Sequence, residues 1–417
     1  MRRIWGLLIL LMGFGNARGA ELDDRAIARA AVGELAGHAF GQLTARFDDK
    51  LRTQATTDTL QQAWLALEGQ SGKLLTIGEG AEAPAKGVHR VDVTVAFERA
   101  SWTVKLGFDA QHKLVALTFG PAAAVPETLA PNEQRLTVGA GTIALPAILS
   151  LPKGEGPFPS VVLVHGSGPH DADETIGPNK PFRDLAQSLS ARGIAVLRYE
   201  KRSHAGLLPS HATYTVNEET IDDARAAVAL LTRTPKIDGK RIYVAGHSLG
   251  GMLAPRIAAK NPSVAGLIIL AGNTRPFEEL VLEQMKKRGT PKQIADAEAM
   301  VKAVRDPKLS DGDWVECAGA RLPGSYFLDL RGYHPAAAAA ALTVPMLVLQ
   351  GERDIQVTLD DFAGWQAALG KRPGVTLKRY PTLTHLFMPG IGAPADYGKP
   401  QHVSDDVVVD IAAFVGK

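Results

Sequence analysis

One cysteine, Cys317, is all that the 417 residues contain. A lone thiol closes no internal disulfide, so packing and hydrogen bonding must hold the fold, and Cys317 reads as a small buried residue. Charge of one sign is also missing, with 46 Lys and Arg against 44 Asp and Glu. A balanced chain has no basic face, which argues against nucleic acid or an anionic membrane as partner. The most apolar run, residues 4–14, falls short of the ~20 residues of a membrane span. No Gly-x-Gly-x-x-Gly or P-loop motif is present, so no nucleotide cofactor is expected, and no cofactor of another kind is indicated.

What is present starts at the N-terminus. Arg2 and Arg3 precede the apolar run, and Ala17 and Gly19 follow it as small residues before a cleavage point. This is the pattern of a signal peptide over residues 1–19, and it predicts export to the periplasm or the exterior, with no membrane association after cleavage. Removing it takes away Arg2, Arg3 and Arg18 and brings the formal charge from +2 to −1. No cysteine follows the apolar run, so a lipid anchor is not expected.

The length exceeds what one core usually supports, and the texture divides the chain. Residues 20–120 read as a small α+β domain. Ile27, Ala31, Leu35 and Ala39 recur at helical spacing within 24–40, and Leu60, Trp64 and Leu67 share a face of a second helix over 57–68. Val91, Val93, Val95 and Phe97 then alternate with polar residues, and strands at 102–108 and 114–119 complete an antiparallel sheet under helices. A Pro/Ala-rich stretch makes 121–134 a linker. From 135 to 417, short apolar strands at 161–164, 194–197, 242–245, 267–270 and 346–349 alternate with helical stretches. That rhythm belongs to a parallel sheet buried on both faces, with a hairpin over 135–151 on its edge. Residues 273–342 interrupt it and are too long for an ordinary connection, so they read as a lid inserted over the strand ends.

The chemistry concentrates in four places. Gly246-His247-Ser248-Leu249-Gly250-Gly251 follows an apolar strand and opens a helix. A Gly-x-Ser-x-Gly turn in that context lifts a serine above the sheet as a nucleophile, and small residues let backbone pass close by. His165-Gly166-Ser167-Gly168-Pro169 follows an earlier strand and can supply one oxyanion donor. The amides of Ser167 and Leu249 are the expected pair, with His165 structural. Gly351-Glu352-Arg353-Asp354 follows a late strand and offers the acid, Asp354 in preference to Glu352 by its register. His385 follows the acid and is the candidate base; His402 is the other histidine beyond it. The order Ser248, Asp354, His385 suits an acyl-transfer triad.

At these positions the chain resembles the α/β-hydrolases. Asp171, Asp173, Glu174, Asn179-Lys-Pro-Phe182, Arg198-Tyr-Glu-Lys-Arg202 and Gly351-Glu-Arg-Asp-Ile-Gln-Val357 are similar to a bacterial group of secreted esterase-like hydrolases. Members of that group carry serine aminopeptidase or dienelactone hydrolase domains behind an N-terminal domain of uncharacterised function. That domain is similar to residues 25–119 here, notably at Gln62-Ala-Trp64 and Phe108-Asp109, and to cone-shaped helix-on-sheet folds. The resemblance implies carboxylesterase activity on a small ester or short acyl substrate through Ser248, Asp354 and His385. Glu200 departs from the group's pattern, which has aspartate there. The alternatives are an aminopeptidase, with Glu278, Glu279 or Glu283 receiving the α-amine, and a binding protein on the same fold. His170, Asp171 and Asp173 lack the ligand spacing of a zinc site and read as a mobile, substrate-shaping loop. Lys201-Arg-Ser-His204 reads as a lid or salt-bridge element.

Overall fold

The computed structural model describes residues 23–83, 88–97, 101–121, 129–208, 213–259 and 261–416. The segment read above as a signal peptide and residues 122–128 of the expected linker lie outside them. The chain divides into two compact units, residues 1–127 and 128–417.

Among the described residues of the first unit four helices, α1 (Asp24–Ala36), α2 (Phe40–Ala45), α3 (Asp49–Gln54) and α4 (Thr57–Ser71), precede four strands. These are β1 (Leu74–Ala83), β2 (His89–Phe97), β3 (Ser101–Phe108) and β4 (Leu114–Pro121), paired antiparallel in the order β1-β2-β3-β4. The alternation in β2 does what its pattern predicts, since Val91, Val93, Val95 and Phe97 are all buried. Trp64 is fully enclosed against Phe97 and Phe119. Two expectations need correction. The helix predicted over 24–40 stops at Ala36, because Gly37 caps it and His38 turns left-handed (φ 56°) before α2 begins. Strand β1 went unread because most of its residues are exposed or half-buried, which leaves no apolar period to find.

The second unit is built on an eight-stranded sheet, formed by β5 (Glu133–Ala140), β6 (Ile143–Ser150), β7 (Phe158–Val164), β8 (Ala195–Tyr199), β9 (Ile237–His247), β10 (Val264–Leu270), β13 (Met346–Gly351) and β14 (Val375–Tyr380). Strands β11 (Trp314–Cys317) and β12 (Ala320–Pro323) make a separate hairpin. The sheet order is β14-β13-β10-β9-β7-β8-β6-β5, parallel from β14 to β8 and antiparallel only where the β5–β6 hairpin closes the edge. Strand β5 begins at Glu133, two residues inside the stretch read as linker.

Helices α5 (Pro181–Ser190), α6 (Asp222–Leu231), α7 (Leu249–Ala259), α12 (Leu359–Leu369) and α13 (Asp405–Val415) accompany the sheet. Two large apolar clusters form within this unit. One contains Val162, Val164, Val244, Leu249 and Trp365, the other Val161, Leu163, Ala245, Leu270 and Phe414. Consecutive strand residues therefore fall in different clusters, as a sheet buried on both faces requires. Between β10 and β13 the chain forms α8 (Phe277–Arg288), α9 (Pro291–Arg305), the β11–β12 hairpin, α10 (Gly324–Leu330) and α11 (Pro335–Ala340). This segment is tied to α7: Arg256 pairs with both carboxylate oxygens of Asp329 (2.9 and 3.0 Å), and the Tyr333 hydroxyl donates to the Met252 carbonyl (2.9 Å). Cys317 is buried, and burial pushes its thiol up to about 12.

Candidate active site

Ser248 stands between β9 and α7 with φ at +52°, in the left-handed region that costs a non-glycine residue energy. The turn survives because its neighbours are glycines. A Cβ at Gly246 would lie 2.1 Å from the Gly250 carbonyl oxygen, and one at Gly250 would lie 2.4 Å from the Val164 carbonyl oxygen. Ser248 is pinned from both sides, its amide donating to Leu270 (2.9 Å) and its carbonyl accepting from Met252 (3.0 Å). Leu249 is the first residue of α7, where helix amides have no intrahelical acceptor. Among the described residues neither the Leu249 amide nor the Ser167 amide donates to protein. The loop after β7 reaches the serine through Gly166, whose Cβ position is 3.2 Å from that of Ser248.

Asp354 and His385 come together in a buried pair, with Nδ1 of the ring 2.6 Å from Oδ2 of the carboxylate. The other oxygen of Asp354 accepts from the amides of Gln356 (2.7 Å) and Val357 (2.9 Å), and Gln350 Nε2 donates to Oδ2 at 3.1 Å. The carboxylate is thus orientationally locked and presents a full acceptor to one nitrogen of His385. Glu352, the competing acid, is half-exposed and faces Arg379 at 3.5 Å. His402 is on the surface with Asp184. The His385 ring packs on His247, the residue before the nucleophile, with ring centroids 4.6 Å apart. The Ser248 hydroxyl makes no hydrogen bond among the described residues, so this link is left open. Such contacts commonly close only when substrate binds.

Residues 161–397 match the model of the alpha/beta hydrolase family. The chain belongs to that family. Residues 28–117 match a separate model, a protein of unknown function called DUF3887. Esterase EstD of Thermotoga maritima is 36% identical over 382 residues, which span 88% of this chain and 90% of that protein. Monoacylglycerol lipase of Mycolicibacterium smegmatis is 26% identical over 244 residues, 54% of this chain and 80% of the lipase. Among solved structures, Est1E from Butyrivibrio proteoclasticus aligns at a TM-score of 0.47 and 18% identity, over 68% of this chain and 99% of Est1E.

Around the four predicted positions this hydrolase carries a buried charge pair whose members the motifs contain but whose pairing the sequence does not show. Glu174 is buried with φ at +51°; its Oε1 accepts the Gly166 amide at 2.7 Å. Its Oε2 lies 2.9 Å from Nδ1 of His247, a close ion pair in which the ring N–H points off the line of contact. On the far side, Nε2 of His247 meets the His385 carbonyl oxygen at 3.0 Å. Burial disfavours both charges, yet the pairing prevails. The charge of His247 brings Glu174 down to about 2. The charge of Glu174 and the hydrogen bond to the His385 carbonyl hold His247 above the usual histidine value. The pair lies behind the nucleophile and joins the β7 loop, the elbow and the histidine loop.

The loop expected to be mobile is fixed instead. Asp171 accepts from the amides of Asp173 and Thr175 and from the Thr175 hydroxyl, while Asp173 is buried between Arg198 (2.8 Å) and Lys180 (2.8 Å). His165 packs tilted against Phe182 and edge-on to Tyr199, and burial drives it down to about 3. Glu200 pairs with His204. Within the 201–204 cluster Lys201 is buried against Glu219, and Arg202 against Asp223. Glu279 and Glu283 already face cations, Arg305 for the first, Arg275 and Lys287 for the second.

Proposed function

We propose that this carboxylesterase-like hydrolase acts through Ser248 as nucleophile, His385 as base and Asp354 as the acid that orients it. The Ser167 and Leu249 amides serve as oxyanion donors. The observation that carries the reading is the buried 2.6 Å Asp354–His385 pair, whose ring packs on His247, the residue before a serine in a strained left-handed turn. Nε2 of His385 takes the Ser248 proton as Oγ attacks the ester carbonyl. The tetrahedral oxyanion is held by the two unpaired amides until the C–O bond breaks and the alcohol leaves with that proton. Water, deprotonated by the same ring, then releases the carboxylic acid from the acyl-serine.

The inserted segment 273–342 is read as the lid that selects among esters, since it is tied to the helix the nucleophile opens. Residues 1–19 are read as an export signal, for which a mature N-terminus at Ala20 is the check. Of the three carboxylates an aminopeptidase could use for the substrate's α-amine, Glu279 and Glu283 are engaged elsewhere, which leaves Glu278 for that reading.

The test is hydrolysis of p-nitrophenyl acetate by the full chain and its Ser248→Ala variant, together with labelling by a fluorophosphonate. Turnover should fall by at least ~10⁴-fold and labelling should vanish, because triad members act as a unit. Retention of wild-type turnover would remove Ser248 from the reaction, and an unlabelled wild-type chain would favour a binding protein.

A further inference from the structure

Lys201 is 2% exposed, and an ammonium group is not buried without strong partners. Its shortest contact is not with a carboxylate. Nζ donates to the carbonyl oxygen of Gly166 at 2.7 Å, while the Oε1 of Glu219 lies 3.2 Å away. The Gly166 carbonyl belongs to the peptide unit whose N–H is that of Ser167. The cis peptide bond among the described residues is Gly156–Pro157, so the Gly166–Ser167 unit is trans and its C=O and N–H point in opposite directions. Gripping the oxygen therefore sets the direction of the amide. A cation on the oxygen also draws electron density from the nitrogen and makes the N–H a stronger donor. The amide of Gly166 is held by Glu174 at 2.7 Å, so the residue is clamped by opposite charges at its two ends.

We infer that Lys201 is a positioning residue for the oxyanion site, acting through the Gly166–Ser167 peptide on the tetrahedral intermediate. The grip extends further: the other oxygen of Glu219 accepts from the Tyr326 hydroxyl at 3.0 Å, and Tyr326 belongs to the inserted segment. The orientation of the amide is thereby tied to the seating of that segment. This inference rests on the esterase reading above.

The experiment compares the full chain with Lys201→Met and, alongside it, Ser248→Ala. For each folded variant, kcat and KM on p-nitrophenyl acetate and the Ki of a trifluoromethyl ketone are measured. Ser248 adds to that ketone reversibly and places an oxyanion where the intermediate has one. Lys201→Met should lower kcat by about 10- to 100-fold, less than the loss of a whole donor. KM should stay within about twofold, and Ki should rise in proportion to the loss in kcat. A folded variant with wild-type kcat, with only KM changed, or with kcat lowered and Ki unmoved overturns the inference. If Lys201→Met does not fold because Glu219 is left unpaired, the double variant Lys201→Met/Glu219→Gln removes both charges and carries the same test. If that chain also fails to fold, Lys201 is a folding residue and the inference falls. Active Ser248→Ala would sink the esterase reading itself; inactive Ser248→Ala with unimpaired Lys201→Met sinks this inference alone.

Discussion

Replacing Glu174 with glutamine deletes one charge from a pair that solvent does not reach, with almost no change in shape. The amide oxygen can still accept the Gly166 N–H; what disappears is the attraction to His247. In the folded chain His247 brings Glu174 from 4.5 to about 2 against the penalty of burial. At ~1.4 kcal/mol for each pH unit that fall corresponds to about 3 kcal/mol. Because the folded value is depressed, this stabilisation is present above pH 4.5 and is lost as pH falls through about 2. His247 is shifted the other way, above 6.5, so its share is complete below that value and is lost as pH rises through the raised one. Both shifts express one interaction, and it is counted once. The stability difference between wild type and Glu174→Gln should therefore be a dome in pH. Its crest of about 3 kcal/mol lies between pH 4.5 and 6.5, and its acid side slopes by ~1.4 kcal/mol per pH unit. Urea unfolding at a series of pH values, followed by fluorescence, measures it. All other carboxylates, and the whole first unit, are common to both chains and cancel. A difference that stays flat from pH 7 to pH 3 would refute the charge pair.

Further outcomes follow from the same geometry. Asp354→Asn should cost about 10³- to 10⁴-fold in kcat, since the locked carboxylate would become an amide that favours the wrong histidine tautomer. Glu352→Gln, altering a surface ion pair, should stay within about twofold in kcat. Gly250→Ala should prevent recovery of folded protein or lower stability by more than about 3 kcal/mol, because its Cβ would sit 2.4 Å from the Val164 carbonyl oxygen; solubility and thermal unfolding decide it. Arg198→Met should destabilise by about 3–5 kcal/mol in urea, as it leaves Asp173 and Glu133 buried without their shared cation.

The sequence by itself determined what depends on neighbours along the chain. An apolar strand, a glycine-flanked serine and a helix are consecutive, so the elbow could be read residue by residue. So could the strands β7 to β10 and β13, because a strand buried on both faces is apolar throughout. The order of Ser248, Asp354 and His385 named the candidates, though register alone separated Asp354 from Glu352. Strand β1 had no period to read, because its side chains are largely exposed. What only the tertiary structure decided depends on distant residues meeting. Asp354 is the carboxylate that meets His385, with Gln350 and two amides converging on it, while Glu352 faces Arg379. Glu174 and Lys201 belong to different loops and nothing in the sequence links either to Gly166, yet folding brings both to it, one to its amide and one to its carbonyl. A buried charge is stable only where its partner is, and no local pattern records where that partner will be.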